Sequence, residues 1–167
     1  MSIVKIVLEE YRNWYPKKSL PLLRACLLYY RDPDFRVLVL IRIATSNLSD
    51  RLRKKVCKKL LIKYSVAISR HVKIGKNFKI GHYLGLVIGS GVVIGNNCMV
   101  YQQVTLGQVN ETEYPKIGDN VTIYAGAKVL GGVSIGDNCK IGANAVVIKD
   151  VPKNCTAVGV PARIIQH

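Results

Sequence analysis

Residues 117–148 read IGDNVTIYAGAKVLGGVSIGDNCKIGANAVVI. An aliphatic residue returns every sixth position here, at Ile117, Ile123, Val129, Ile135, Ile141 and Val147. The same spacing runs upstream through Ile74, Ile80, Ile88, Ile94, Val100 and Leu106. Nine of the eleven intervals between these anchors are six residues, one is eight and one is eleven. A period of six fits neither an amphipathic helix nor an alternating strand. It fits short strands joined by tight corners, each flat side pointing one aliphatic residue inward, as in repeat architectures. Three sides of six make an eighteen-residue coil, so twelve anchors predict about four coils of parallel β-helix. A second inward row lies four residues on, at Val92, Cys98, Val104, Val121, Ala127, Val133, Cys139, Ala145 and Val151. That row makes Cys98 and Cys139 small core hydrophobes rather than reactive thiols. Glycine follows many anchors, and the expected reason is corner backbone angles that other residues resist.

Residues 1–65 have a different texture. Ser2 to Trp14 reads as an amphipathic helix ended by Pro16, and Ser19-Leu20-Pro21 opens a second. Two more are expected, from about Phe35 to Thr45 and from Leu52 to Tyr64. Leu52, Val56, Leu60 and Leu61 form the apolar face of the last, opposite Arg51, Arg53, Lys54, Lys55, Lys58, Lys59 and Lys63. The predicted class is therefore mainly β: a helical region over 1–65, then a β-helix with a C-terminal tail over 66–167. Stacked coils have open edges. The helices are expected to cover one end and the tail after Val151 the other.

The formal charge is +15, with fifteen Lys/Arg against five Asp/Glu in residues 1–65 and ten against five thereafter. Such an excess favours anionic partners. A solvated helical surface accounts for it, as does peripheral contact with a membrane or an acidic substrate. Nucleic-acid binding lacks aromatic interleaving and a reading motif. The five cysteines are odd in number and form no CxxC or CxxH pair, which argues against zinc and a disulfide framework and for a reducing cytoplasm. The start lacks a signal-peptide pattern, and the apolar run 37–44 is too short to span a bilayer.

A strict repeat is sufficient for a scaffold, so its two breaks need a reason. The first puts two extra residues between Ile80 and Ile88, beside His82. The second puts five extra between Leu106 and Ile117, in a segment holding Gln108 to Pro115. Insertions in repeat arrays usually form loops on the binding face.

Five motifs make the reading specific: Gln103-Val104-Thr105-Leu106-Gly107, Pro115-Lys116-Ile117-Gly118, Ala125-Gly126-Ala127-Lys128-Val129-Leu130-Gly131, Lys140-Ile141-Gly142-Ala143 and Val158-Gly159-Val160-Pro161-Ala162-Arg163. Over roughly residues 66–165 the chain resembles the hexapeptide-repeat acyltransferases, most closely the serine acetyltransferase group. The resemblance implies a left-handed parallel β-helix, a homotrimer and acetyl-coenzyme A (acetyl-CoA) as acetyl donor; no metal is expected, because a zinc-binding branch of this fold would need clustered histidines and only His82 sits at a break in the repeat. His82 falls on the family's catalytic histidine. An alcohol attacking a thioester must lose its proton, and imidazole, with an ordinary pKa of about 6.5, is suited to take it. No acyl-enzyme is required, and a backbone N–H would stabilise the tetrahedral oxyanion. Gly107, Ala125, Gly126, Lys140 and Ala143 match cofactor-binding positions, where small residues let backbone amides approach and Lys140 pairs with a phosphate. Corner geometry alone would also favour small residues there. His71 and His167 stand away from both breaks.

Four positions depart from the family. Its aspartate fifteen residues before the histidine is Ala67 here, and its aspartate directly before the histidine is Gly81. Its Arg-His before the proline is Glu113-Tyr114. These positions orient the base or recognise serine. Their loss favours another acceptor, and the chain also resembles the acetyltransferases of capsule and exopolysaccharide clusters. The expected acceptor is therefore a saccharide hydroxyl, with Tyr114, Glu113 and Glu111 as substrate-binding residues. Serine O-acetylation for cysteine biosynthesis is the alternative within the class. A non-catalytic β-helix scaffold is the alternative outside it. His82 needs a partner other than Ala67: a backbone carbonyl, or Glu111 or Glu113 from a neighbouring subunit's loop.

Overall fold

The structure is a computed structural model that describes residues 2–16, 19–110 and 112–166. Glu111 and His167 lie outside the described residues. Four helices come first: α1 (Ile3–Trp14), α2 (Pro21–Arg31), α3 (Pro33–Ala44) and α4 (Asp50–Tyr64). The starts of α1 and α3 follow capping chemistry. The Ser2 hydroxyl accepts from the Lys5 N–H, and the Asp32 carboxylate accepts from the Asp34 and Phe35 N–H groups. Proline occupies the first turn of α2 and α3, where no N–H is missed. Helix α3 is buried along Phe35, Val37–Ile41, Ile43 and Ala44, so it is the centre of the helical layer. On α4 the buried residues are Val56, Leu60 and Tyr64, whereas Leu61 is exposed. The expected apolar face is thus rotated: strict spacing of four carries it to Tyr64 rather than to Leu61.

From Ala67 onward the chain winds through three faces. The first sheet stacks Ala67–Ile68, Val87–Ile88, Thr105–Gly107, Lys128–Leu130 and Val146–Val147, all parallel. The second stacks Lys73–Ile74, Val93–Ile94, Lys116–Ile117 and Ser134–Ile135. The third stacks Lys79–Ile80, Met99–Val100, Thr122–Ile123, Lys140–Ile141 and Cys155–Val158. Strand Arg163–Gln166 then returns antiparallel on Cys155–Val158 and caps that sheet's last edge. The solenoid begins one side earlier than the repeat suggested, because Ile68 precedes Ile74 by six residues.

Register shows where the breaks go. Lys128 pairs with Val146, eighteen residues on. Ala67 pairs with Val87, a coil of twenty, and Thr105 pairs with Lys128, a coil of twenty-three. Each insertion is therefore extruded at one corner while the strands keep their register. Both inward rows are buried from Val66 to Ala157, apart from the half-buried Ile74, in one cluster with the helices. Each such aliphatic side chain contributes roughly 1.5–3 kcal/mol on burial. Cys98, Cys139 and Cys155 belong to this interior, and burial pushes the Cys98 and Cys139 thiols up in pKa.

The corners correct one expectation. The glycines that follow the anchors do not carry positive φ; asparagines do, at Asn77, Asn97, Asn120, Asn138 and Asn154. Asparagine tolerates that region because its short amide bonds locally. Its amides then form a ladder up one corner, with Nδ2 to Oδ1 distances of 3.0, 3.1, 3.0 and 2.9 Å. The post-anchor glycines serve close stacking. A Cβ on Gly75 would sit 2.5 Å from the Gly95 carbonyl oxygen, and one on Gly136 would sit 2.5 Å from the Lys153 nitrogen.

Arg42 ties two helices to each other and to the solenoid. Arg42 Nε on α3 lies 2.8 Å from Glu10 Oε1 on α1, and Arg42 Nη1 donates to the Ile74 carbonyl at 3.1 Å. The guanidinium also lies over the Phe78 ring. Among the described residues, no helix is long and apolar enough to cross a membrane.

Candidate active site

His82 stands at the corner between the third and first sheets, where the eight-residue interval opens the coil. Its side chain is 67% exposed. The backbone beneath it is held: Gly81 N–H donates to the Val100 carbonyl at 2.8 Å, and Gln103 N–H donates to the Leu84 carbonyl at 2.8 Å. Tyr83 lies edge-on to Tyr64 of α4, with ring centroids 5.8 Å apart.

The same corner rises through Gln102, Ala125 and Ala143. Gly126 N–H bonds to the Gln102 carbonyl and Asn144 N–H to the Ala125 carbonyl, both at 2.9 Å, so these residues form one column above His82. Lys128 Nζ fastens this corner by bonding to the Gln103 and Gly126 carbonyls, at 2.9 and 2.7 Å. Lys140 is exposed on the third sheet, in register with Thr122 and Thr156. Of the residues expected to hold the donor, Ala125, Gly126 and Ala143 thus share an edge with His82, and Lys140 lies on the adjoining face.

Gly107, Glu113 and Tyr114 do not join them. They sit at the opposite corner of the first sheet, before the strand Lys116–Ile117. The Tyr114 ring lies over Gly89 and Gly91, whose missing Cβ atoms leave it room, and Glu113 lies beside Gly132. Within one chain this loop and His82 are therefore separated by the width of the first sheet.

Three features were not read from the sequence. The first is Asp34, at the start of α3, whose Oδ2 lies 3.5 Å from His82 Nδ1. The pattern Asp32-Pro33-Asp34 signals a helix start, and nothing local in it points to a histidine 48 positions away. The second is the pair Tyr101 and Tyr124, whose rings stack with centroids 5.5 Å apart and planes at 17°. Their signal was present, since both follow an anchor where other coils carry glycine. The third explains Gly81. A Cβ there would come within 2.5 Å of the Tyr101 ring, so in this chain the ring occupies the space an aspartate side chain would need.

Gly126 gives a direct test of the corner. Its φ is +74°, and an added Cβ would run into the Asn144 side-chain oxygen. Gly126→Ala is expected to lower stability by about 1–3 kcal/mol through strain at that φ. Urea unfolding of the variant checks this, and an unchanged midpoint would mean the corner relaxes freely.

Comparison with known proteins places this geometry. The family model for the bacterial transferase hexapeptide (six repeats) matches residues 114–149. A serine acetyltransferase of Synechococcus elongatus is 40% identical over 141 residues, covering 80% of this chain and 57% of that protein. The crystal structure of Neisseria gonorrhoeae serine acetyltransferase in complex with serine superposes with a TM-score of 0.81 at 33% identity, over 98% of this chain and 69% of that one. The chain belongs to the hexapeptide-repeat acyltransferases of the serine acetyltransferase type. A serine acetyltransferase in complex with CoA also superposes, with a TM-score of 0.75 at 33% identity, over 98% of this chain and 68% of that one. The chain spans little more than half the length of the curated Synechococcus relative. These comparisons correct the acceptor expectation. The relatives are serine acetyltransferases, so the saccharide acceptor, the polysaccharide setting and the likeness to capsule and exopolysaccharide enzymes are withdrawn. The replaced positions Ala67, Gly81, Glu113 and Tyr114 do not by themselves identify an acceptor.

Proposed function

We propose that the protein is an acetyl-CoA-dependent serine O-acetyltransferase with His82 as general base. The observation that carries the reading is the column of small residues above an exposed histidine, in a fold shared with enzymes captured with serine and with CoA. Adjacent strands are about 4.8 Å apart, so Ala143 stands roughly 14 Å up the axis from His82. An extended pantetheine arm could lie along that edge with its thioester at the base and its phosphates toward Lys140.

Chemically, His82 accepts the proton of the serine hydroxyl as that oxygen bonds to the thioester carbonyl carbon. The tetrahedral oxyanion collapses, the C–S bond breaks, and the leaving thiolate takes the proton back from the imidazolium. No covalent enzyme intermediate is needed. The loop at 108–115 lies at the far edge of the first sheet from His82 in the same chain. Its approach to a catalytic histidine requires a neighbouring copy, which supports a homotrimer with sites between subunits. The unpaired cysteines fit a reducing, cytoplasmic setting.

Incubation with acetyl-CoA and L-serine tests the reading. Free thiol and O-acetylserine are expected in equal amounts, by thiol titration and mass spectrometry. Thiol release no faster than without serine, and no O-acetylserine, would overturn it and leave the scaffold reading.

A further inference from the structure

We infer that Asp34, in the first turn of α3, is the positioning residue for His82. The inference rests on the reading of His82 as general base. The residue that would supply a carboxylate by family pattern is Ala67, which has no hydrogen-bonding side chain. The carboxylate that faces the imidazole comes instead from the helical region, with Asp34 Oδ2 3.5 Å from His82 Nδ1.

Both partners stand on fixed backbone. The Asp34 N–H is bonded to Asp32 Oδ1 at 2.9 Å, and the neighbouring Phe35 N–H to the same oxygen at 3.1 Å. Pro33 restricts the preceding φ. Phe35 is fully buried and meets Trp14 edge-on, with centroids 5.9 Å apart, so the first turn of α3 cannot swing away. On the other side, Gly81 and Leu84 are bonded to the next coil, and Tyr83 packs on Tyr64. The two extra residues of the interval carry His82 out of the strict coil, on the side where α3 begins. The Asp34 side chain is only 25% exposed, which limits competition from water.

A charge-assisted N–H···O bond runs about 2.7–2.9 Å. Small side-chain torsions on two anchored residues close the remaining gap, and such contacts tighten when substrate binds. A bond from Nδ1–H to Asp34 fixes the tautomer and leaves the Nε2 lone pair for the acceptor hydroxyl. The carboxylate then stabilises the imidazolium that forms during transfer, without touching the reacting atoms. The helical region is thereby part of the site and more than a cap on the solenoid.

The test compares Asp34→Asn, Asp34→Glu, His82→Ala and the double variant Asp34→Asn/His82→Ala by kcat, KM for acetyl-CoA and thermal midpoint. Asp34→Asn is expected to lower kcat about 10²-fold, with KM and midpoint unchanged. Asp34→Glu recovers part of the rate, because the acceptor is restored. Adding Asp34→Asn to His82→Ala brings no further loss, since the two act as one unit. Full activity of Asp34→Asn beside an inactive His82→Ala overturns the role of Asp34 alone. Losses that multiply in the double variant also overturn it. An active His82→Ala overturns the general-base reading and the inference with it.

Discussion

His82→Ala is expected to lower acetyl transfer to serine by roughly 10²–10⁴-fold, the range for loss of a general base, with the fold unchanged. The structural half follows from exposure. The imidazole is two-thirds in solvent and fills no core space, so its removal leaves no cavity. The coil around it is held by backbone bonds from Gly81, Gln103 and Leu86 that do not involve the side chain. The chemical half follows from acyl transfer to an alcohol, where a neutral hydroxyl is a poor nucleophile until a base takes its proton. Loss should fall on kcat, with KM for acetyl-CoA preserved, because the donor column starts at Ala125 on a separate coil. Steady-state kinetics and a melting curve check both halves. Wild-type kcat in the variant would remove His82 from the mechanism.

The largest stability effect is expected at Arg42. Its guanidinium is the partner of Glu10, whose side chain is only 6% exposed. Arg42→Ala leaves that carboxylate buried without its cation, which costs about 3–5 kcal/mol. The cost depends on pH in a defined direction. Burial raises the Glu10 pKa above its ordinary 4.5, and the Arg42 charge opposes that rise. Ionised Glu10 therefore subtracts stability as pH rises above 4.5 and subtracts nothing below it. Without Arg42 the folded value rises further, the penalty grows across the same window, and acidification toward 4.5 returns part of the loss. The remainder is the lost bond to the Ile74 carbonyl and the lost packing on Phe78. Urea unfolding at neutral and acidic pH measures both parts. Glu10→Gln in the Arg42→Ala background should recover stability at neutral pH, because it removes the buried charge.

These two residues also mark the limit of what the sequence carries. The solenoid was legible because its code is local. Each anchor, each inward partner four residues on and each eighteen-residue coil follows from residues a few positions apart, and the insertions at His82 and Gln108–Pro115 appear as breaks in that count. The corner conformation is equally local, and asparagine rather than glycine carries it, since Asn77 and its ladder partners recur as regularly as the glycines do. The absence of four family residues does not identify the acceptor, because the sequence does not display the space around them. Tyr101 fills the place beside Gly81, and that is visible only when successive coils are stacked.

By itself, then, the sequence determined the coil, its core rows, the two corners that open and the histidine at the first of them. A repeat of fixed period constrains those through short-range sterics and burial. Tertiary structure decided which groups meet across the chain. Asp34 reaches His82, and Arg42 pairs with Glu10 while bonding to the Ile74 carbonyl. No periodicity encodes these contacts, because they depend on how the helices pack against the first coils.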